Sequence, residues 1–319
     1  MKIIILGGGA LGSIIAGHLI RAGQEVTVIA RGARATYLYE HGIRVCGRAD
    51  LNVPCHVVTD ASTVPAADVL IVTVKTYDTT TALHGVRHLQ VGQVCSVQNG
   101  VLKNEQLAET FGAHRVLGAA CMLGGEVQAD GEVRYTLEAA IYLGELPGGD
   151  AAAAQQLVNA LQHAGLQAAY APRIQSVEWS KFVGWSGFTA LGVLTRLETY
   201  KFLCDPDMAR IGARVMRETG QLATRLGISL EDRPPLPSAT VVTGTEDQAV
   251  EVLQAIGATL RQHAPHMRQS ALQDVQRGRR IEVEETLGYT LTKAAACGMA
   301  MPTVETCYRL LAGLNRGLP

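Results

Sequence analysis

Near its start the chain runs Lys2–Leu6, then Gly7-Gly8-Gly9-Ala10-Leu11-Gly12, then an apolar segment to Arg21, then Glu25–Ile29. The order is strand, glycine turn, helix, strand, closing within about 30 residues. A G-x-G-x-x-G string in isolation is weak; in that setting it reads as a dinucleotide-binding turn. Each glycine has its own reason. Gly7 permits the tight turn, Gly9 lets the backbone approach a pyrophosphate, and Gly12 lets helix and strand pack closely. Ala10 and Leu11 open the helix, whose unpaired N–H groups and positive dipole end suit phosphates.

The end of the second strand selects the cofactor. An NAD site usually carries Asp or Glu there, to bond the ribose 2′-hydroxyl. This chain has Ile29-Ala30-Arg31-Gly32-Ala33-Arg34. A guanidinium at position 31 can hold a 2′-phosphate bidentately, so NADP(H) is the expected cofactor. Arg34 reads equally well as a second phosphate ligand or as a solvated surface residue.

Further β-branched runs appear at His56–Val58, Asp68–Val74, Val94–Val97 and Ala140–Leu143, with helix-like stretches such as Asn104–Phe111 between them. Ala151–Ala164 reads as a helix and Leu166–Tyr170 as a last short run. This alternation predicts an α/β fold with a Rossmann-like, doubly wound, mostly parallel sheet. Beyond about Pro172, long amphipathic segments take over: Val177–Leu194, Asp207–Leu226, Asp247–His263, Glu282–Cys297 and Thr303–Leu314. Breakers at Arg233–Pro237, Gly278, Gly298 and Pro302 separate them. The expectation is a nucleotide-binding domain over 1–171 and an all-helical second domain over 172–319.

Charge narrows the partners. With 28 basic against 29 acidic side chains and no basic cluster, nucleic acid and membrane surfaces are not expected partners. No stretch reaches the ~18 apolar residues of a membrane span, and three glycines interrupt the one segment resembling a signal peptide. Seven scattered cysteines without a C-x-x-C pair predict neither a disulfide framework nor a zinc site, and the nine histidines lack metal-ligand spacing. A reducing, cytoplasmic setting is the expectation, with no metal. Two further loops follow strands of the sheet, where α/β ligands gather: Lys75 after the DVLIVTV run, and Asn99 after CSV.

Together, GGGALG, Arg31, VTVKT (72–76), VQNGV (97–101) and the helical Trp179-Ser180-Lys181 resemble the ketopantoate reductase family. So do Ser270-Ala271-Leu272-Gln273-Asp274, Gly278-Arg279 and Ile281-Glu282. These motifs run from the first residues to about 302, in the family's order and spacing. The resemblance implies NADPH-dependent reduction of a 2-oxo acid to a 2-hydroxy acid, in a cleft between a Rossmann and a helical domain. It places the catalytic Lys on Lys181, its acidic neighbour on Glu282 and the substrate-binding Ser on Ser270. The family's loop residues in the nucleotide domain fall on Lys75 and Asn99, the latter also a substrate ligand.

The sequence departs from the family pattern where Asn is common, four and eight residues after the Lys. Those positions hold Trp185 and Thr189, on the same helical face as Lys181. Ile281 likewise replaces a usual Thr. The reduction machinery is retained while the substrate pocket is altered. Chemically, the keto oxygen gains charge as hydride arrives, and an oriented ammonium at Lys181 can both stabilise and protonate it. The most economical reading is reduction of 2-dehydropantoate. The alternatives are a related reductase for a bulkier 2-oxo acid and a non-catalytic NADP-binding sensor. A homodimer is compatible with such a helical domain, although no pattern fixes an interface.

Overall fold

The computed structural model describes residues 1–64 and 66–318. By its internal contacts the chain forms two units, one of 1–99 with 103–175 and one of 100–102 with 176–319.

The first unit is built on an eight-stranded sheet. In chain order its strands and those of a smaller sheet are β1 (Lys2–Leu6), β2 (Glu25–Ile29), β3 (Ile43–Gly47), β4 (Leu51–Val53), β5 (His56–Val58) and β6 (Ala66–Val72). Then follow β7 (Gln90–Ser96), β8 (Val116–Cys121), β9 (Gly124–Val127), β10 (Val133–Leu137), β11 (Ile141–Glu145) and β12 (Ala168–Tyr170). The main sheet has the order β12-β11-β8-β7-β6-β1-β2-β5. All its pairs are parallel except β8 with β11, so the sheet is mixed rather than wholly parallel.

β1 shows why these apolar runs become central strands. Side chains alternate across a strand, and here both faces are covered, so the run is continuously apolar. Ile3 and Ile5 join one apolar cluster with Val69 and Ile71 of β6, while Ile4 and Leu6 join another with Leu70 and Val72. Helix α1 (Ala10–Arg21) packs on the first face, and α3 (Thr79–Val86) and α4 (Leu102–Phe111) on the second; α2 (Gly32–His41) lies between β2 and β3 in the chain. Each fully buried Ile contributes about 1.5–3 kcal/mol relative to exposure.

The four-stranded sheet β4-β3-β10-β9 has no counterpart in the sequence reading. Its strands are three to five residues long, and one of them, GGEV, is half glycine, so periodicity gives little signal. Their packing leaves α1 buried from Gly12 to Leu19, because both sheets contribute to its cluster.

After α5 (Ala151–His163) comes α6 (Ile174–Thr195), which has no polar face and belongs to the second unit from Ser176 onward. The reason is that it lies between two apolar clusters: Trp179 and Phe182 enter one, Val183 and Phe188 the other. Around it stand α7 (Thr199–Cys204), α8 (Pro206–Arg225), α9 (Ser238–Thr243), α10 (Glu246–His263), α11 (Ser270–Gln276), α12 (Tyr289–Ala296) and α13 (Pro302–Arg316). Their starts follow local chemistry. Asp205 accepts from the Asp207 and Met208 N–H groups to begin α8, and Thr245 with Gln248 forms a capping box on α10. α13 is capped from a distance: Glu218 of α8 accepts from the Thr303 and Val304 amides.

Two details differ from the sequence expectation. The expected helix at Glu282–Cys297 begins as a π-helical turn, Glu284–Gly288, in which the Gly288 N–H reaches the Val283 carbonyl at 3.0 Å. The all-helical second part also contains a two-residue ladder, Asp232–Arg233 with Leu236–Pro237, folding the proline-rich breaker back on itself. No helix among the described residues is long and apolar enough to cross a membrane.

Candidate functional site

The strand order of the main sheet reverses between β1 and β6, and α/β proteins bind ligands at the carboxyl ends of strands beside such a reversal. The glycine turn leaves β1 there. Gly7 has φ +116°, a region L side chains avoid, and a Cβ on it would lie 2.9 Å from Thr73 Oγ1. On Gly12 a Cβ would lie 2.0 Å from the Gly7 carbonyl oxygen. Gly9 is different: a Cβ there would meet nothing within 4 Å.

The turn is held from behind by its carbonyls. Thr73 Oγ1 donates to the Gly7 carbonyl at 2.7 Å, tying the ends of β1 and β6 together. The Gly8 carbonyl accepts from Ser13 Oγ at 3.1 Å and from Arg34 Nε at 2.6 Å. The start of α1, by contrast, has no side-chain cap and no acidic residue in its first turn. With Gly9 open and the first N–H groups of Ala10 and Leu11 uncapped by any side chain, the turn fits an anionic group such as a pyrophosphate.

The two arginines after β2 part company. Arg31 is exposed, at the N-cap of α2. Arg34 turns inward, donating also to Ser13 Oγ and the Gly131 carbonyl, and burial lowers the pKa of its guanidinium. It braces the glycine turn. Beside them, Gly32, Ala35, Thr36, Tyr39, Thr59 and Asp60 line an open surface pocket of about 570 Å³.

Lys75 and Asn99 are half-buried on the loops leaving β6 and β7. Gln98, which drew no role from the sequence, joins those loops. Its Nε2 donates to the Val74 carbonyl at 2.7 Å and to Thr79 Oγ1 at 2.8 Å. The available signals for Arg34, Thr73 and Gln98 were their places in RGAR, VTVKT and VQNGV; their partners are distant in sequence.

In the second unit Lys181, Trp185 and Thr189 lie on α6. From Ser176 to Val193 every residue is buried except Lys181 and Trp185. Trp185 stacks on Phe182 with ring centroids 6.1 Å apart. Thr189, one turn further on the same face, is buried with its hydroxyl lacking any hydrogen-bond partner. Trp179 is part of the core.

Ser270 is exposed as the first residue of α11. The residue before it, Gln269, lies over Gly192 of α6, where a Cβ would be 2.9 Å from Gln269 Cγ. Gln269 Nε2 also donates to Thr199 Oγ1, and Arg268 pairs with Glu198 at 2.7 Å. Hydrogen bonds from Arg268 and Lys201 hold the Glu198 carboxyl down at about 2, so this bracket stays ionised over the ordinary pH range. Glu282 is half-buried between Ile281 and Val283, both core residues. Ile281 is 3% exposed, so the Thr-to-Ile departure adds a packing group.

A unit with a glycine turn at the strand-order reversal of a mostly parallel sheet, followed by a helical unit whose α6 leaves only Lys181 and Trp185 accessible between Ser176 and Val193, defines a protein of the Rossmann-type α/β class. The family model described as Ketopantoate reductase PanE/ApbA matches residues 3–148, and that described as Ketopantoate reductase PanE/ApbA C terminal matches 173–315. The chain belongs to the ketopantoate reductase family and is an oxidoreductase. It is 30% identical to a 2-dehydropantoate 2-reductase of Archaeoglobus fulgidus, over 99% of each chain. The fold is shared with a PanE/ApbA family ketopantoate reductase from Ralstonia eutropha JMP134 (TM-score 0.84, 24% identity, 99% of each chain). It is shared also with a D-mandelate dehydrogenase solved with NADH and anilino(oxo)acetate (TM-score 0.86, 19% identity, 100% of this chain and 99% of that one).

Proposed function

We propose that the chain reduces a 2-oxo acid to the 2-hydroxy acid with NADPH, that its substrate is 2-dehydropantoate, and that it works in the cytoplasm. One observation carries the reading. On a helix otherwise enclosed from Ser176 to Val193, Lys181 and Trp185 alone keep access to solvent, and the orphaned Thr189 hydroxyl continues their face. A half-buried lysine and an unsatisfied hydroxyl on one face of the same helix suit a small polar substrate.

Bound NADPH supplies a hydride to the keto carbon while the keto oxygen takes up negative charge. Lys181 stabilises that oxygen through its ammonium and donates the proton that completes the 2-hydroxy acid. Glu282 supplies the carboxylate that holds the ammonium, and Ser270 and Asn99 bind the substrate's carboxylate or hydroxyl. Trp185 and Thr189 line the pocket. The open face at Gly9, with Gly7, Ala10, Leu11 and Gly12, holds the pyrophosphate, and Lys75 and Asn99 serve the ribose side.

Arg31 carries the choice of NADPH. It is exposed, whereas Arg34 is committed to the glycine turn. Arg31→Ala is expected to lower kcat/KM for NADPH by about 10–100-fold, the worth of a charge-assisted hydrogen bond, with NADH barely affected. Equal losses with both cofactors would mean that Arg31 does not read the 2′-phosphate.

Trp185 favours a second reading, a bulkier 2-oxo acid, because an indole fills space where the family resemblance leads to an amide. Steady-state NADPH oxidation with 2-dehydropantoate, 2-oxoisovalerate and 2-oxoisocaproate decides. The highest kcat/KM is expected with 2-dehydropantoate; a higher value for either of the others moves the assignment to that acid. NADPH binding without turnover on any of them would make the protein a sensor.

A further inference from the structure

Gln98 is neither a cofactor ligand nor a substrate ligand in the function proposed above, yet its surroundings are unusual for a core amide. The parallel ladder between β6 and β7 ends with Val72 beside Ser96 and the Val97 N–H on the Val72 carbonyl. Beyond that point the two chains diverge into the loops bearing Lys75 and Asn99. The Gln98 side chain then continues the ladder, its Nε2 donating to the Val74 carbonyl at 2.7 Å. Its own geometry is fixed: Ser96 Oγ donates to Gln98 Oε1 at 2.8 Å and accepts from the Gln98 main-chain N–H at 3.2 Å. The second Nε2 hydrogen goes to Thr79 Oγ1 at 2.8 Å, at the start of α3.

Ser96, Gln98 and Thr79 are all buried, the first two at the end of a strand whose neighbours are apolar. Such a network is costly to leave half-satisfied, and an apolar core would be at least as stable, so geometry is what it secures. The residues it secures are specific. Val74 precedes Lys75, and Gln98 precedes Asn99.

The geometry points to Gln98 as a positioning residue: a buried side-chain rung that sets the loop of Lys75 against the loop of Asn99, so that both meet the dinucleotide in register. This rests on the function proposed above. Gln98 acts through those two side chains and has no separate contribution to cofactor binding.

The test is NADPH affinity, by fluorescence titration well below the melting temperature, for wild type, Gln98→Met, Lys75→Ala, Asn99→Ala and the two double variants containing Gln98→Met. Gln98→Met keeps the side-chain length and removes the hydrogen bonds. It is expected to raise the NADPH Kd by about tenfold, the usual order for a misplaced binding group. In the double variants that factor should shrink, because one of the two residues through which Gln98 acts is already gone. An unchanged Kd for folded Gln98→Met overturns the inference, as does a tenfold loss that multiplies in both double variants. Where Gln98→Met does not fold, Thr79→Val, which removes one acceptor, decides by the same criteria with a smaller factor. A wild type that fails to bind NADPH overturns the proposed function and this inference together; a wild type that binds, with affinity insensitive to the rung, overturns this inference alone.

Discussion

Lys181→Ala is expected to lower kcat for 2-oxo acid reduction by about 10³–10⁴-fold, equivalent to roughly 4–5.5 kcal/mol of transition-state stabilisation. The loss combines two effects, removal of the positive charge facing the keto oxygen and removal of the proton donor. The fold should survive, because Lys181 is one of two accessible positions between Ser176 and Val193 of α6 and is not part of its apolar clusters. NADPH affinity should change by less than about threefold, since Lys181 is assigned no part in cofactor binding. Lys181→Arg should recover little, as a guanidinium keeps the charge but holds its proton too tightly to give it up. Single-turnover and steady-state rates with NADPH check the expectation. A kcat within tenfold of wild type would show that another group protonates the product.

The glycine turn yields the second large effect, with opposite outcomes at two glycines. Gly12→Ala places a Cβ 2.0 Å from the Gly7 carbonyl oxygen and 2.6 Å from Thr73 Oγ1. Backbone has to move, at a cost of about 3 kcal/mol, which for a unit of this size lowers Tm by roughly 6–12 °C. Gly9→Ala meets no protein atom within 4 Å, and φ −69° suits any residue. Its Tm should stay within about 1 °C of wild type, while the methyl group occupies the approach to the pyrophosphate and raises the NADPH Kd about 100-fold. Thermal melts with and without NADPH separate the two. A Gly9→Ala protein that binds NADPH normally would place the phosphates away from this turn.

How far the sequence could be read depends on how local each feature is. β1, the glycine turn, α1 and β2 are visible at once, because their pattern and hydrogen bonding lie within thirty consecutive residues. The long helices of the second unit are visible because their breakers are. β3, β4, β9 and β10 escape notice, since a three-residue strand such as Leu51–Val53 forms only when distant segments pair with it. Gly100–Leu102 is counted with the second unit because Val101 is buried in the cluster of Trp179 and Phe182, something no local pattern encodes.

The candidate site divides along the same line. The sequence alone determined the dinucleotide turn and the missing acid after β2, both being local patterns with a physical meaning. Resemblance, rather than spacing, singled out Lys181, Ser270 and Glu282. Only the tertiary structure decided which polar side chains are buried in the fold's own hydrogen bonds and which keep access to solvent. Arg34 is drawn into the glycine turn while Arg31 stays exposed, and Gln98 is spent on a rung while Lys181 keeps its access to solvent. The physical reason is that a hydrogen bond between residues 26 or 24 apart depends on where the sheet and helices bring them. The same residue types in the same order carry no mark of it.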